Sequence, residues 1–410
     1  MSEEKLVPKL RFNGFDDEWS TYKLSELSEQ VKRKKENITD KDNILTISAN
    51  KGFISQKERW DNVIAGKSLK KYTYLKKDEF SYNRGNSKSF KYGCIYRLNY
   101  ENALVPNVYH SFKITNGNIN FFEQLFKSNK LDKQLIKIIT STARMDGLLN
   151  ISAKNFFNID VNISNNLKEQ KLIGDFLKLI DIKIELLESK YENYLNFKKY
   201  LMQQIFAQKL RFKDENNNYY DNWEKLQLKD IISINGGYAF KSELFKDEGM
   251  PIIRISNISP NNSVILDDIV YYDKLDNDSD FIIRKGELII AMSGATTGKV
   301  AVYDLNHEAY INQRVGLFKQ TSDELYYPFL VQYTHSDDFK RELKKTLVAG
   351  AQPNISKKEI ESFNIRLPQY EEQQKIADTL SNLDLKINTI KKQNNEISMF
   401  KKSLLQQMFV

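Results

Sequence analysis

The sequence predicts an α+β protein built twice over. Two tandem globular halves of mixed α/β content are separated by two long helices that form an antiparallel coiled coil, with pseudo-two-fold symmetry. Three observations predict this. Short motifs recur in the same order at a period near 203 residues. An apolar seam runs through a long uninterrupted stretch in each copy. The remaining segments alternate strand-like runs with turn signals and end in helices.

The repeat opens with Lys-Leu-Arg-Phe, at Lys9–Phe12 and again at Lys209–Phe212, followed by Trp19 and Trp223. Both tryptophans read as core anchors. Asn150-Ile151-Ser152 returns as Asn354-Ile355-Ser356, and Phe157-Asn158-Ile159 as Phe363-Asn364-Ile365. Residues 168–206 align without a gap to 371–409, with Glu169/Glu372, Gln170/Gln373, Asp181/Asp384 and Lys198/Lys401 among the identities.

Spacing of 4,3 picks out Ile173, Leu177, Ile180, Ile184, Leu187, Tyr191, Tyr194, Lys198, Leu201 and Ile205 in the first copy. In the second it picks out Ile376, Leu380, Leu383, Ile387, Ile390, Asn394, Ile397, Lys401, Leu404 and Met408. Apolar a/d occupancy sustained over more than four heptads is a coiled-coil signal. Asn394 and the two lysines weaken such a seam but specify its register. Since a globular half precedes each helix in the same way, antiparallel pairing is expected. The domain boundaries are then 1–165, 166–208, 209–367 and 368–410.

In the second half the strand-like runs are Pro251–Ile258, Val264–Tyr272, Glu287–Met292, Val300–Tyr303 and Val315–Phe318, before helices near 325–335 and 336–347. In the first they are Ile44–Ser48, Glu79–Asn83, Gly93–Leu98 and Ser111–Ile114, before helices Phe121–Phe126 and Leu131–Thr140.

Of the 410 residues, 40% are apolar and 28% charged, which supports packed cores over most of the chain. Cys94 is the only cysteine and there are three histidines, so a disulfide framework and a Cys- or His-rich metal site are not expected. No apolar run approaches the ~18 residues of a membrane span. The N-terminus also lacks the apolar core of a secretion signal, so the expected location is the cytoplasm. The net charge of +8 is unevenly spread. Residues 1–165 hold 28 Lys/Arg against 19 Asp/Glu, giving +9, and residues 209–366 hold 21 against 24, giving −3. A basic first half suits a polyanionic partner.

Catalytic motifs are missing. There is no Asn/Asp-Pro-Pro-aromatic loop of an amino-methyltransferase and no GxGxxG. Ser293–Lys299 departs from a phosphate-binding loop in its glycine spacing and in Val300, so it reads as a turn between strands.

Taken together, the layout resembles the specificity subunit of type I restriction–modification systems. The residues that carry the resemblance are the two openers, Gly236–Ser242 (GGYAFKS), Gly350–Ser356 (GAQPNIS), Pro368 with the EEQQKIADTL that follows, and the terminal FKKSLLQQMF. The resemblance implies that each half is a target recognition domain reading one part of a bipartite DNA sequence. The helices would act as spacer and as docking surface for two methyltransferase subunits, with restriction subunits joining that core. It implies no catalysis by this chain, and S-adenosylmethionine, ATP and Mg on partner subunits only. The halves differ in their loops, so the target should be asymmetric.

Cations suit phosphates, Arg and Lys suit guanine, and Asn and Gln suit adenine. On that chemistry the first-half candidates for DNA contact are Lys32, Arg33, Lys34, Lys35, Lys70 and Lys71 for phosphates, and Ser48, Asn50, Asn83, Arg84, Asn86 and Lys88 near bases. In the second half they are Lys241, Ser242, Arg254, Asn257, Thr296, Thr297, Lys299, Gln313 and Arg314. Two competing readings remain open at the level of sequence: a self-contained DNA-modifying enzyme, and a structural coiled-coil adaptor that binds no DNA.

Overall fold

The computed structural model describes residues 5–39, 42–60, 66–85, 90–139, 149–259, 262–348 and 354–410. The chain divides into two compact units, one of Met1–Ser189 with Lys391–Val410, the other of Lys190–Ile390. Each unit therefore holds part of both long helices, α1 (Leu167–Phe206) and α2 (Tyr370–Met408).

In the first unit, a four-stranded antiparallel sheet is built from β1 (Ser28–Gln30), β2 (Phe80–Asn83), β3 (Cys94–Arg97) and β4 (His110–Ile114), in the order β1-β4-β2-β3. The second unit repeats it with β5 (Ile232–Gly236), β6 (Leu288–Ala291), β7 (Val300–Val302) and β8 (Val315–Gln320), in the order β5-β8-β6-β7. Each unit also closes with one antiparallel strand pair: Ser20–Lys23 against Asp160–Ile163 in the first, and Glu224–Gln227 against Asn364–Leu367 in the second. Outside this shared frame the units differ. The first carries one hairpin, Leu45–Ser48 with Gly52–Ser55, and one antiparallel pair of strands that are not consecutive in the chain, Thr73–Lys76 with Asn102–Val105. The second carries a further four-stranded sheet that includes one parallel pair.

Most expected strands and helices form within a residue or two of their expected limits. Two do not. The strand expected over Pro251–Ile258 stops at Ile253, and that expected over Val264–Tyr272 begins only at Val270. The reason is Asn257, which is fully buried. Its Oδ1 accepts from Arg254 N at 3.0 Å, and its Nδ2 donates to the carbonyls of Ile265 and Asp267, both at 3.1 Å. That amide turns the chain out of the sheet and organises the loop between.

The repeated motifs are where the domains sit on the helices. Arg11 of the first opener makes a two-pronged ion pair to fully buried Glu169, at 2.6 and 3.0 Å. Arg211 does the same to Glu372, at 3.1 and 2.7 Å. Gln170 accepts from Asn118 N and Gln373 from Tyr326 N, each at 2.8 Å. Ser152 and Ser356 cap short helices through Asn155 N and Glu359 N, while Ile151 and Ile355 before them are buried. Trp19 and Trp223 are core residues, as their positions suggested. Gly174 lets the helix Ile119–Lys127 cross α1 closely, because a Cβ there would lie 2.4 Å from Phe121 N.

No position of either expected seam is exposed; each is buried or half-buried. In the first unit the start of α1 packs with the end of α2, and Asp181 pairs with Lys401. In the second the end of α1 packs with the start of α2, and Lys198 pairs with Asp384 at 2.6 Å. The helices are thus antiparallel in each unit. The seam lysines that should weaken pairing are answered by repeat-related aspartates.

Candidate DNA interface and helix surface

In the first unit, the exit of β1, the entry of β4, the exit of β2 and the entry of β3 share one edge, since Gln30 pairs with Phe112, Tyr82 with His110 and Asn83 with Cys94. Val31–Lys35 and Pro106–Tyr109 therefore meet there, beside residues on either side of the β2–β3 connection. Side chains stitch the edge together. Asn83 Nδ2 donates to Ile47 O at 3.2 Å, Tyr96 Oη to Ala49 O at 2.5 Å, and Arg84 to the carbonyls of Val108 and Ile151 at 3.0 and 3.2 Å.

The expected contact residues cluster on this edge with unequal freedom. Lys32, Lys34, Asn50, Lys70 and Lys71 are exposed, and Ser48, Asn83 and Arg84 half-buried. Lys34 donates to the Lys71 backbone carbonyl, which ties the segment after β1 to the Lys70–Lys71 segment. Arg33 is paired with Glu79, while Lys35 is paired with Asp42 and lies over the Tyr74 ring at 5.6 Å. These two cations are largely neutralised inside the protein. Asn86 and Lys88 lie outside the described residues.

In the second unit the same edge forms where Gly236 pairs with Gly316, Ala291 with Val315 and Ile290 with Val300. It gathers Gly237–Lys241, Met292–Lys299 and Asn312–Arg314. Lys241, Ser242, Gln313 and Arg314 are exposed there. Thr296, Thr297 and Lys299 are half-buried in the turn joining β6 and β7. Thr296 Oγ1 donates to Ile255 O at 3.2 Å and Thr297 Oγ1 to Gly294 O at 2.7 Å. Arg254 is half-buried and donates to the Asp268 carbonyl. Asn257, expected among the DNA contacts, is instead consumed by its own loop, since all three of its side-chain hydrogen bonds are internal.

The helices present a second surface that the seam analysis did not reveal. On α1, Leu172, Leu179, Ile182 and Leu186 are 43%, 64%, 42% and 62% exposed. Their spacing of 7, 3 and 4 places them on one face. In the repeat the matching positions are Lys375, Asn382, Leu385 and Thr389, mostly polar. The signal was in the sequence as leucines off the main seam, but their exposure is a tertiary fact.

Among the described residues, no group of three or more His, Cys, Asp or Glu could hold a metal ion, and no helix is long and apolar enough to cross a membrane. A duplicated α+β frame with a loop-bearing edge in each copy, carried on paired antiparallel helices, is the class of architecture that the chain presents.

Residues 220–399 match the family model described as the type I restriction modification DNA specificity domain. The type I restriction enzyme MjaVIII specificity subunit of Methanocaldococcus jannaschii is 27% identical, with 68% of each chain covered. The EcoAI specificity subunit of Escherichia coli is 26% identical over 42% of this chain and 30% of its own. The crystal structure of a type I restriction–modification S subunit from M. genitalium shares the fold at a TM-score of 0.66 and 16% identity, covering 98% of this chain and 99% of that one. A chain from a structural study of type I R-M complex assembly follows at a TM-score of 0.52 and 13% identity, covering 95% and 97%. The chain thus resembles specificity subunits in sequence and fold.

Proposed function

We propose that this chain is the DNA-recognition subunit of a type I restriction–modification complex and acts in the cytoplasm. Residues 1–165 and 209–367 each read one part of a bipartite, asymmetric target, and 166–208 with 368–410 form the spacer between them. The observation that carries this reading is the division of labour within the repeat. The seats on the helices reuse the same arginine–glutamate pair, glutamine and capping serine, while the loops gathered at the sheet edge differ. Two copies of one frame with different loops suit two different DNA half-sites. Lys32, Lys34, Lys70 and Lys71 would take phosphates in the first half, and Gln313 and Arg314 would face base edges in the second.

The exposed apolar stripe on α1 supports docking of a methyltransferase subunit, because a contiguous row of exposed apolar side chains marks an interaction surface. Two such subunits, and restriction subunits through them, would complete the complex. The chain itself would catalyse nothing, and S-adenosylmethionine, ATP and Mg would bind the partners. The test is long-read methylome sequencing of a host that carries this chain with its methyltransferase. A methylated motif in two unlike parts around an unspecified gap is expected. A contiguous or palindromic motif, or methylation by this chain alone, would overturn the reading.

A further inference from the structure

The loop leaving β5 is built unlike its counterpart in the first unit. After β1 the chain reads Val31-Lys32-Arg33-Lys34-Lys35, but after β5 it reads Gly237-Tyr238-Ala239-Phe240-Lys241. The backbone of Tyr238 is held on both sides. Its N–H donates to Ile311 O at 3.0 Å, and its carbonyl accepts from Gln313 N at 2.9 Å. Gly237 permits this approach, because a Cβ there would lie 2.1 Å from Ile311 O. The Tyr238 ring stacks on Phe281 at 5.1 Å and meets Phe240 at 5.0 Å. Both of those rings pack in turn on Tyr310, at 5.2 and 5.4 Å, and Phe240 also meets Tyr272 at 5.0 Å.

Tyr238 is nevertheless 45% exposed. Its neighbours on the edge, Lys241, Gln313 and Arg314, are exposed and polar or cationic. A ring immobilised from behind and open in front has already lost its freedom, so little more is lost when a flat partner covers it. Ring plus cations is the combination that nucleic acid rewards, through stacking and phosphate neutralisation together.

We infer that Tyr238 packs its ring against a base or deoxyribose of the DNA bound by the second unit. This contact supplies there what the first unit draws from phosphate neutralisation. The inference rests on the DNA-recognition reading above. The charge split favours it: residues 209–366 carry 21 cations against 24 acids, so this half needs an affinity that does not come from net charge. The chemistry required of the partner is the face of an unstacked base, a base edge exposed in a groove, or a sugar edge.

The test uses the full chain in complex with its methyltransferase, on a duplex bearing the motif found by methylome sequencing, with affinity measured across a salt series. Aromatic–base stacking contacts are worth about 5- to 100-fold in affinity. Tyr238→Ala is therefore expected to weaken binding by that factor at every salt concentration, with the log–log salt slope unchanged. Tyr238→Phe should bind within about twofold of the unchanged chain, whereas Lys241→Gln, which removes an exposed cation of the same edge, should flatten the slope by up to ~0.9. Tyr238→Leu keeps an apolar cover on Phe281, so its loss of affinity would report the ring and not the fold. Unchanged affinity in both Tyr238→Ala and Tyr238→Leu, or a flattened slope in them, overturns the inference and leaves DNA recognition standing. Failure of the unsubstituted complex to bind the duplex overturns both.

Discussion

Glu169 and Glu372 are carboxylates with no exposure to solvent, each gripped by an arginine from an opener some 160 residues away in sequence. Glu372 also accepts from Trp223 Nε1 at 2.9 Å, which joins opener, tryptophan and helix at one point. Removing one partner of a buried ion pair strands the other charge, at a cost of about 3–5 kcal/mol. Arg211→Met is therefore expected to destabilise the second unit by about that much in urea unfolding, and Arg11→Met the first. A change below 1 kcal/mol would show that water replaces the guanidinium. Both residues were visible in the sequence as repeated identities, but a repeat says only that a position matters twice. Which charge meets which is settled by folding. The same limit applies to Arg33 and Lys35, whose partners Glu79 and Asp42 could not be told from any other acids, and to Asn257, whose amide serves a turn.

The two long helices were the most legible elements, because a 4,3 apolar pattern over so many heptads has few alternative explanations. Leu187 and Ile390 are both buried at mid-helix. Aspartate at either place puts a charge in an apolar seam and should cost several kcal/mol. The expected outcome is proteolytic clipping within the helices while the sheets stay folded, read by limited proteolysis. The ion pairs add a pH dependence. Burial alone would raise the Asp181 carboxyl, but the ammoniums of Lys127 and Lys401 outweigh it and hold Asp181 below the usual range. For Lys401, burial works downward against the pull of Asp181. A depressed carboxyl stabilises fully above its unfolded value of about 3.9, and that contribution is lost as pH falls through the folded value. Acid unfolding of the first unit should thus sharpen below about pH 4, and Asp181→Asn should lower its stability at neutral pH and blunt that acid step. On the opposite face, Leu179→Asp and Leu186→Asp should leave the helices folded and reduce co-purification of the methyltransferase. The shorter strands around Pro251–Ile258 were less legible, since apolar runs do not reveal the side-chain hydrogen bond that ends them.

At the scale of the whole chain, the charge split makes a further prediction. Changing Lys32, Lys34, Lys70 and Lys71 to Gln should flatten the salt dependence of DNA binding by up to ~0.9 for each lysine that meets a phosphate. An unchanged slope would place the phosphate path elsewhere. The duplication and the fold class could be read from the sequence because they rest on many positions at once. The recognition loops could not, because they are where the two copies agree least. The composition of the units also has a consequence in time. The core of the first unit includes Phe409, whose ring meets Phe121 at 5.2 Å and Trp19 at 6.3 Å, and Gln407 O accepts from Leu10 N at 3.0 Å. Those partners leave the ribosome some two hundred residues after Ser189, a wait of roughly 10–40 s at 5–20 residues per second. The second unit, Lys190–Ile390, is contiguous and emerges whole during that wait. The half that begins first is therefore finished last, and a nascent chain holds an open apolar notch around Trp19 and Phe121 until its own tail arrives to fill it.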